Sequence, residues 1–306
     1  MNEGSRRAVV AALLANLGIA VAKFVAFGLT GATALLAEAI HSVADSGNEA
    51  LLGIGGLRAQ RAPTSQHPFG FGRERYFFAF VVALVLFSLG SLFAIYEGVD
   101  KLVHPGSVED PAVGFAVLGV AFVLESLSMR TAVRAAHGVR RGRSWWRFIR
   151  TEKAPELPVV LLEDSAALVG LVLAALGLGL TVLTGSSVYD ASASVAIGLL
   201  LGVVALLLAV EMKSLLIGEA ASPEDQAAIT SAILNSPDGD HLIHLRTEHL
   251  GPDDLLVAAK IDLTRRADER TARAIDAIEA RIRARVPHAR VIYLEPDEYR
   301  SGPDPY

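Results

Sequence analysis

The sequence predicts an α-helical membrane protein with six transmembrane helices and a C-terminal cytoplasmic ferredoxin-like α/β domain. The 306-residue chain is 52% hydrophobic with a mean hydropathy of +0.42, which is more apolar than a soluble domain of this size usually is. Its charge is also unevenly placed, because long uncharged runs fill the first two thirds and Asp, Glu and Arg crowd the remainder. We therefore expect a membrane domain over residues 1–213 and a cytoplasmic domain over 214–306.

Six segments are long and apolar enough to be transmembrane helices, since a helix needs roughly 20 mostly apolar residues to cross the bilayer core. Short turns such as "LTGAT" separate some of them, and two longer polar loops follow the second and the fourth segments. The segments lie at about 8–30, 33–57, 76–98, 112–136, 156–183 and 187–211.

Arginine placement predicts the orientation of this helical domain. Arginines are concentrated before the first segment and in the two longer loops. The turns on the opposite side have almost no Lys or Arg, and Lys101 is the exception. By the positive-inside rule, the arginine-rich side and both termini are expected in the cytoplasm. The alanine- and arginine-rich composition and the absence of an organelle signal favour a multi-pass protein of a prokaryotic inner (plasma) membrane.

The residues after Gly218 have the pattern of a small soluble domain. Ser222 and Pro223 suit the N-cap and the first position of a helix. Two apolar runs around the turn "GPDD" indicate a hairpin, a helical period follows, and "HARVIYLEP" reads as a final strand. The order helix, strand, strand, helix, strand suggests a ferredoxin-like fold.

Composition also excludes several classes of function. The chain has no cysteine, so it can form neither a disulfide nor a thiolate metal site, and nitrogen and oxygen atoms must bind any metal. No basic patch or recognition motif supports a nucleic-acid partner.

The second segment carries a polar stripe where an apolar helix is expected. At 100° per residue its members fall within an arc of about 100° on one helix face. Ionisable groups at membrane depth are costly and usually mark an ion or proton path. His41 and Asp45 are one turn apart, so an imidazole nitrogen and a carboxylate oxygen can converge on one divalent cation such as zinc. The stripe consists of Glu38, His41, Asp45, Asn48 and Glu49.

The fifth segment supplies a second acidic pair, Glu163 and Asp164, followed by small residues that allow close helix packing. Neighbouring residues on a helix diverge by about 100°, so the two carboxylates are not expected to bind one ion in the same way. We expect Asp164 to be a direct ligand, and Glu163 to be a ligand or a nearby proton acceptor. The predicted metal-binding residues are His41, Asp45, Glu163 and Asp164.

Structural explanations compete with these assignments. The His41–Asp45 pair could serve only helix packing, and Lys23, near a helix end, is expected to snorkel to the membrane interface. Asn16 and Glu125 could line a water path or make packing hydrogen bonds.

Other functions compete as well. The polar groups could hold a catalytic metal in a membrane enzyme, but no nucleophile motif or His-Glu-x-x-His pattern is present. The helices could instead anchor a cytoplasmic binding domain or form a metal channel.

Several motifs together resemble the cation diffusion facilitators: "HSVAD", "HPFGFGRER", "YDASASVAIGLLLG", "KSLLIGEA" and the final "YLEP". "HPFGFGRERY" and "LLEDSAALVGL" are similar to the branch represented by zinc transporter nine. The resemblance implies a homodimeric six-helix transporter, not an enzyme, which exports a divalent cation, usually zinc, in exchange for protons and needs no organic cofactor. His41 and Asp45 match the second-helix half-site of that family.

The chain departs from the family pattern at three places. Many members have a fifth-helix histidine four residues before the aspartate, but Val160 stands four residues before Asp164 and Val159 four before Glu163. The site is therefore richer in oxygen, and manganese, iron or cobalt become alternatives to zinc. Phe71 replaces a second loop histidine beside His67, and we expect that loop to be a structured turn. The C-terminal domain has histidines at strand ends but none in its second helix, so we expect it to act mainly as a dimerisation module.

Overall fold

The computed structural model describes residues 3–106, 110–140, 142–264 and 270–299, with side chains described from residue 17 onward. The chain forms two compact units. One comprises Met1–Leu57 with Arg75–Lys213, and the other comprises Arg58–Glu74 with Ser214–Tyr306. The second unit thus includes a loop from the N-terminal part of the chain as well as the C-terminal domain.

Each of the six predicted segments forms a long helix, and the fourth loop adds a short one. Four helices, α3, α4, α6 and α7, are apolar and long enough to cross a membrane among the described residues. Helix α2 does not reach this standard because its polar stripe interrupts the apolar sequence. The helices are α1 (Glu3–Thr30), α2 (Thr33–Ala59), α3 (Glu74–Val103), α4 (Pro111–Arg140), α5 (Trp145–Thr151), α6 (Glu156–Thr184) and α7 (Val188–Ile217).

Helices α3 and α7 pack closely through glycines. The middle of α3, Leu86–Leu92, is π-helical, a feature that the apolar pattern did not predict. A Cβ at Gly98 of α3 would lie 2.8 Å from the carbonyl oxygen of Ala191, and one at Gly198 of α7 would lie 2.9 Å from that of Ser91. Glycine therefore lets the two backbones approach, as small residues do between membrane helices.

A buried ion pair holds the turn between α1 and α2. Asp190 of α7 accepts hydrogen bonds from the backbone nitrogen of Thr33 at 2.8 Å and from its hydroxyl at 2.9 Å. Lys101 of α3 donates to Asp190 at 3.0 Å and to the carbonyl oxygen of Gly31 at 2.6 Å. Asp190 thereby satisfies the free N–H groups at the start of α2 from a distant helix.

The C-terminal domain follows the predicted order of elements. Strands β1 and β2 are antiparallel, as a hairpin requires, whereas β3 joins β2 in parallel after a crossover through α9. Isoleucine, valine and leucine side chains from the sheet and both helices form its core. Ser222 caps the first helix, since its hydroxyl accepts from the backbone nitrogen of Asp225 at 3.0 Å. The elements are α8 (Pro223–Leu234), β1 (Gly239–Gly251), β2 (Asp254–Leu263), α9 (Thr271–Arg285) and β3 (Ala289–Pro296).

The loop 58–74 packs against the end of β1 within this second unit. Arg73 forms an ion pair with Glu248. A Cβ on Gly72 would lie 2.8 Å from the carbonyl oxygen of Leu250, so glycine is needed for this backbone contact. The backbone of Thr64 and that of His67 hydrogen-bond each other in both directions at 3.1 Å. The loop is therefore a structured turn, as expected.

Candidate metal centre

A small cavity lies among α1, α2, α4 and α6 in the helical unit. Its volume is about 20 Å³, which is enough for about one water-sized species. This size suits a single inorganic ion and is far smaller than the pockets that bind organic ligands. The cavity is lined by Ile19, Ser42, Asp45, Glu49, Glu125, Ser128, Val160, Glu163 and Asp164.

Five of the nine lining residues are carboxylates, contributed by three different helices. Carboxylate oxygens are suitable ligands for divalent metals. So many acidic groups around so small a space repel one another in surroundings of low dielectric constant, and a bound cation would relieve that repulsion. The five are Asp45, Glu49, Glu125, Glu163 and Asp164.

His41 lies behind the cavity wall and does not line it. Its Nδ1 is 3.5 Å from Asp45 Oδ1, and its side chain is fully buried. Among the described residues, neither ring nitrogen of His41 forms a hydrogen bond. A buried polar group without a partner is costly and calls for an explanation. A ligand bound beside Asp45 would provide one.

The acidic pair of α6 is held from two sides. Glu163 is 5% exposed, and its Oε1 accepts a hydrogen bond of 2.5 Å from Asn48 Nδ2 of α2. Asp164 is less buried, and its Oδ2 accepts a hydrogen bond of 3.0 Å from the hydroxyl of Ser128 on α4. Both carboxylates reach the cavity although they are neighbours on one helix. The two carboxylates therefore have different hydrogen-bond partners, and how each would bind an ion stays a prediction.

Two of the cavity carboxylates had no role predicted from the sequence. Glu125 was left open between a water path and a packing role, and Glu49 was placed on the polar stripe without a role. Both line the cavity. Glu125 and Ser128 are three residues apart and follow the apolar first half of α4, and this spacing on one helix face was the available signal.

The expectation that Lys23 snorkels to the interface is wrong. Its side chain is 0% exposed and its Nζ lies 3.1 Å from Glu38 Oε2, and it donates to the hydroxyl of Ser42 at 2.7 Å. A lysine can remain inside a membrane domain when a buried carboxylate on a neighbouring helix pairs with it. The side chain of Asn16 lies outside the described residues.

The histidines outside the membrane domain are separate from this cavity. His67 is exposed, and its ring lies tilted by 35° against that of Phe71 with centroids 4.6 Å apart. In the C-terminal domain, ligand atoms of Asp240, His241 and Asp262 lie within 4.8 Å of one another on the surface. Exposed acidic groups of this kind are common, and the group has no buried, unsatisfied atom that would indicate a ligand.

Comparison with known proteins identifies relatives of the whole helical part. Residues 9–217 match the cation efflux transmembrane domain. The chain is 30% identical over 271 residues to the mitochondrial proton-coupled zinc antiporter SLC30A9 of Homo sapiens, an alignment that covers 88% of this chain and 48% of that protein. It is 32% identical over 263 residues to metal tolerance protein C4 of Arabidopsis thaliana, covering 85% of this chain and 58% of the plant protein.

A bacterial relative carries a different metal in its name. The manganese efflux system protein MneP of Bacillus subtilis is 29% identical over 175 residues, which cover 56% of each chain. The chain spans about half the length of the first two relatives. All three names describe antiport, metal tolerance or efflux, so the expectation that the protein is not an enzyme is confirmed.

Proposed function

Because this chain belongs to the cation efflux family, also called the cation diffusion facilitators, and to its zinc-transporter-nine-like branch, we propose that it exports a divalent metal cation from the cytoplasm in exchange for protons. The observation that carries the proposal is the ion-sized cavity inside the helical unit, where five carboxylates from three helices meet. A site without a transported or bound cation would leave these groups at great electrostatic cost.

The proposed metal ligands are the four residues expected from the sequence. Asp45 of α2 and Asp164 of α6 line the cavity, and Glu163 adds a third carboxylate. His41, whose Nδ1 lies 3.5 Å from Asp45 Oδ1, would supply an imidazole. We propose zinc as the first candidate because imidazole and carboxylate suit it, and because the named relatives of this branch include a zinc antiporter. Val160 lines the cavity as an apolar residue, so manganese, iron and cobalt are the next candidates.

Exchange for protons follows from the chemistry of these ligands. A metal binds neutral imidazole and ionised carboxylate, so loading displaces protons and protonation favours release. Histidine is the side chain that ordinarily changes charge near neutral pH. His41 is buried beside Asp45 without a hydrogen bond among the described residues, which leaves its nitrogens available for either a proton or the metal.

We extend the proposal to the architecture in which this site works. Helices α1 and α2 complete a bundle of six transmembrane helices, with both termini in the cytoplasm of a prokaryotic cell and the bundle in its inner membrane. The C-terminal domain, which we assign to a ferredoxin-like class, joins two copies as a homodimer. The arginines of the loops support the orientation, and the helix-strand-strand-helix-strand order supports the assignment of the domain.

Metal flux into proteoliposomes tests this function. Uptake of zinc, manganese, cobalt and iron is measured with and without an imposed pH gradient, for the wild type, Asp45→Ala and Asp164→Ala. Asp100→Ala is the matched control, because Asp100 is a carboxylate of α3 that does not line the cavity. We expect gradient-driven uptake that is lost in both site variants and kept in the control.

Two results would contradict the proposal. Uptake that persists unchanged in Asp45→Ala would show that the cavity does not lie on the transport path of the metal. Uptake that follows only the metal gradient, with no response to pH, would indicate a channel in place of an antiporter.

A further inference from the structure

A fixed positive charge lies directly behind the wall of the cavity. Ser42 and Ile19 line the cavity, and the ammonium group of Lys23, one turn along α1 from Ile19, donates a 2.7 Å hydrogen bond to the Ser42 hydroxyl. Lys23 is 0% exposed, so water does not screen its charge. A cation in the cavity would therefore be one side chain away from the Lys23 ammonium group.

Glu38 forms a buried ion pair with this lysine. Its Oε2 lies 3.1 Å from Lys23 Nζ, and it is fully buried. Its Oε1 has no hydrogen-bond partner among the described residues. A Cβ at Gly170 of α6 would collide with this oxygen, so the pair occupies a tight junction of α1, α2 and α6. Glu38 is not a lining residue.

The two charges act on a cavity ion with opposite signs. In surroundings of low dielectric constant an ammonium group repels a nearby cation and a carboxylate attracts it, and both effects extend over several ångströms. While the pair is intact these effects partly cancel. The Lys23 ammonium hydrogen-bonds the hydroxyl of a cavity-lining residue, Ser42, whereas among the described residues the Glu38 carboxylate hydrogen-bonds only to Lys23. We therefore take the repulsion from the ammonium to be the stronger of the two effects.

We propose that the Lys23–Glu38 pair sets how tightly the cavity holds its cation, with Lys23 lowering the affinity so that the ion can leave. This inference rests on the proposed function, since it assumes that the cavity binds a metal. Lys23 and Glu38 are not ligands in this scheme. They act through the electric field at Asp45, Glu163 and Asp164, and so they are positioning and tuning residues for a site that must release its ion as well as bind it.

A packing role for the pair makes a different prediction. If the ion pair served only to join α1 to α2, removing either partner would leave an unpaired buried group and weaken the fold in the same direction. Metal affinity would then stay unchanged or fall equally in both single variants. A tuning role requires that the two single variants shift the affinity in opposite directions.

Equilibrium zinc binding to the purified full-length protein separates these roles. The dissociation constant is measured by calorimetry for the wild type, Lys23→Met, Glu38→Gln and the double variant, alongside the KM and maximal rate of transport. We expect Lys23→Met to bind roughly tenfold more tightly, with slower release and a lower maximal rate, and Glu38→Gln to bind roughly tenfold more weakly. The double variant should lie between the two single variants.

The outcomes of this experiment are distinct. Equal shifts in both single variants, or unchanged affinity with lowered thermal stability, would overturn the tuning role while leaving the proposed function intact. A folded wild type that binds none of zinc, manganese, cobalt and iron would overturn the proposed function itself. If Lys23→Met does not fold, the comparison of Glu38→Gln with the double variant decides, because only a repelling ammonium makes the double variant bind more tightly.

Discussion

Asn48 of α2 donates a hydrogen bond of 2.5 Å to Glu163 of α6, and both side chains are buried. This bond joins the helix of the histidine half-site to the helix of the acidic pair. It also restricts the side-chain rotamer of Glu163, so the position of this carboxylate at the cavity depends on Asn48.

Replacing Asn48 should therefore weaken both the fold and transport. In Asn48→Leu the buried Glu163 carboxylate loses its donor, and hydrogen bonds between membrane helices contribute on average about 0.6 kcal/mol. We expect a lower thermal midpoint in detergent and a lower rate of metal uptake. Asn235→Leu is the control, because Asn235 is exposed in the C-terminal domain. Wild-type uptake by Asn48→Leu would show that this bond does not orient the site.

Glu125 should contribute to cation binding although the sequence did not assign it. Glu125→Gln keeps the size of the side chain and removes one of the five carboxyl groups that line the cavity. We expect weaker metal binding and a raised KM for transport, because the cavity attracts the cation less strongly. Glu97→Gln makes the same change in α3 outside the cavity, and it should leave both quantities unchanged. Equal effects in the two variants would rule out a specific role for Glu125.

Val160 offers a test of metal preference. It lines the cavity one turn before Asp164, so Val160→His would place an imidazole beside the carboxylates. Nitrogen ligands favour zinc over manganese. The ratio of zinc uptake to manganese uptake should rise in Val160→His and stay near the wild-type value in Val160→Ala. A ratio that is equal in the two variants would place this side chain too far from the ion to bind it.

The Lys101–Asp190 pair should matter for stability more than for affinity. Asp190 is 0% exposed and accepts from Lys101 at 3.0 Å, and removing one partner of a buried pair costs about 3–5 kcal/mol. Asp190→Asn should lower the thermal midpoint strongly, and adding Lys101→Met should recover part of the loss. Metal affinity measured on the folded fraction should not change. A midpoint as high as that of the wild type in Asp190→Asn would contradict this role.

The local sequence pattern was enough to predict most of the helices of this protein and its family. Each of the six apolar segments is a helix, because hydrophobic length and period are local properties of the chain. The capping pattern at Ser222 and Pro223 was enough to place the start of α8. The family was also recognisable, since its motifs are short contiguous stretches.

The candidate metal site could be predicted from the sequence only in part. The pattern identified Asp45, Glu163 and Asp164, since charge in an apolar helix is conspicuous, and their role as ligands stays a prediction. It did not assign Glu49 and Glu125 to the same cavity, nor show that His41 lies behind the wall. The rotation of each helix about its own axis decides which side chains line the cavity, and this rotation angle depends on how the helix packs against the other helices.

Lys23 shows the same limit most clearly. From the sequence it is a lysine near a helix end, for which the membrane interface is the position of lowest free energy. The tertiary structure places Glu38 and Ser42 of another helix at its ammonium group, and this pairing makes burial tolerable. Composition and periodicity therefore determined which elements form, and they predicted a cation site among them. Only the contacts between helices decided which charges face one another, because the energy of a buried charge depends on partners that are distant in sequence.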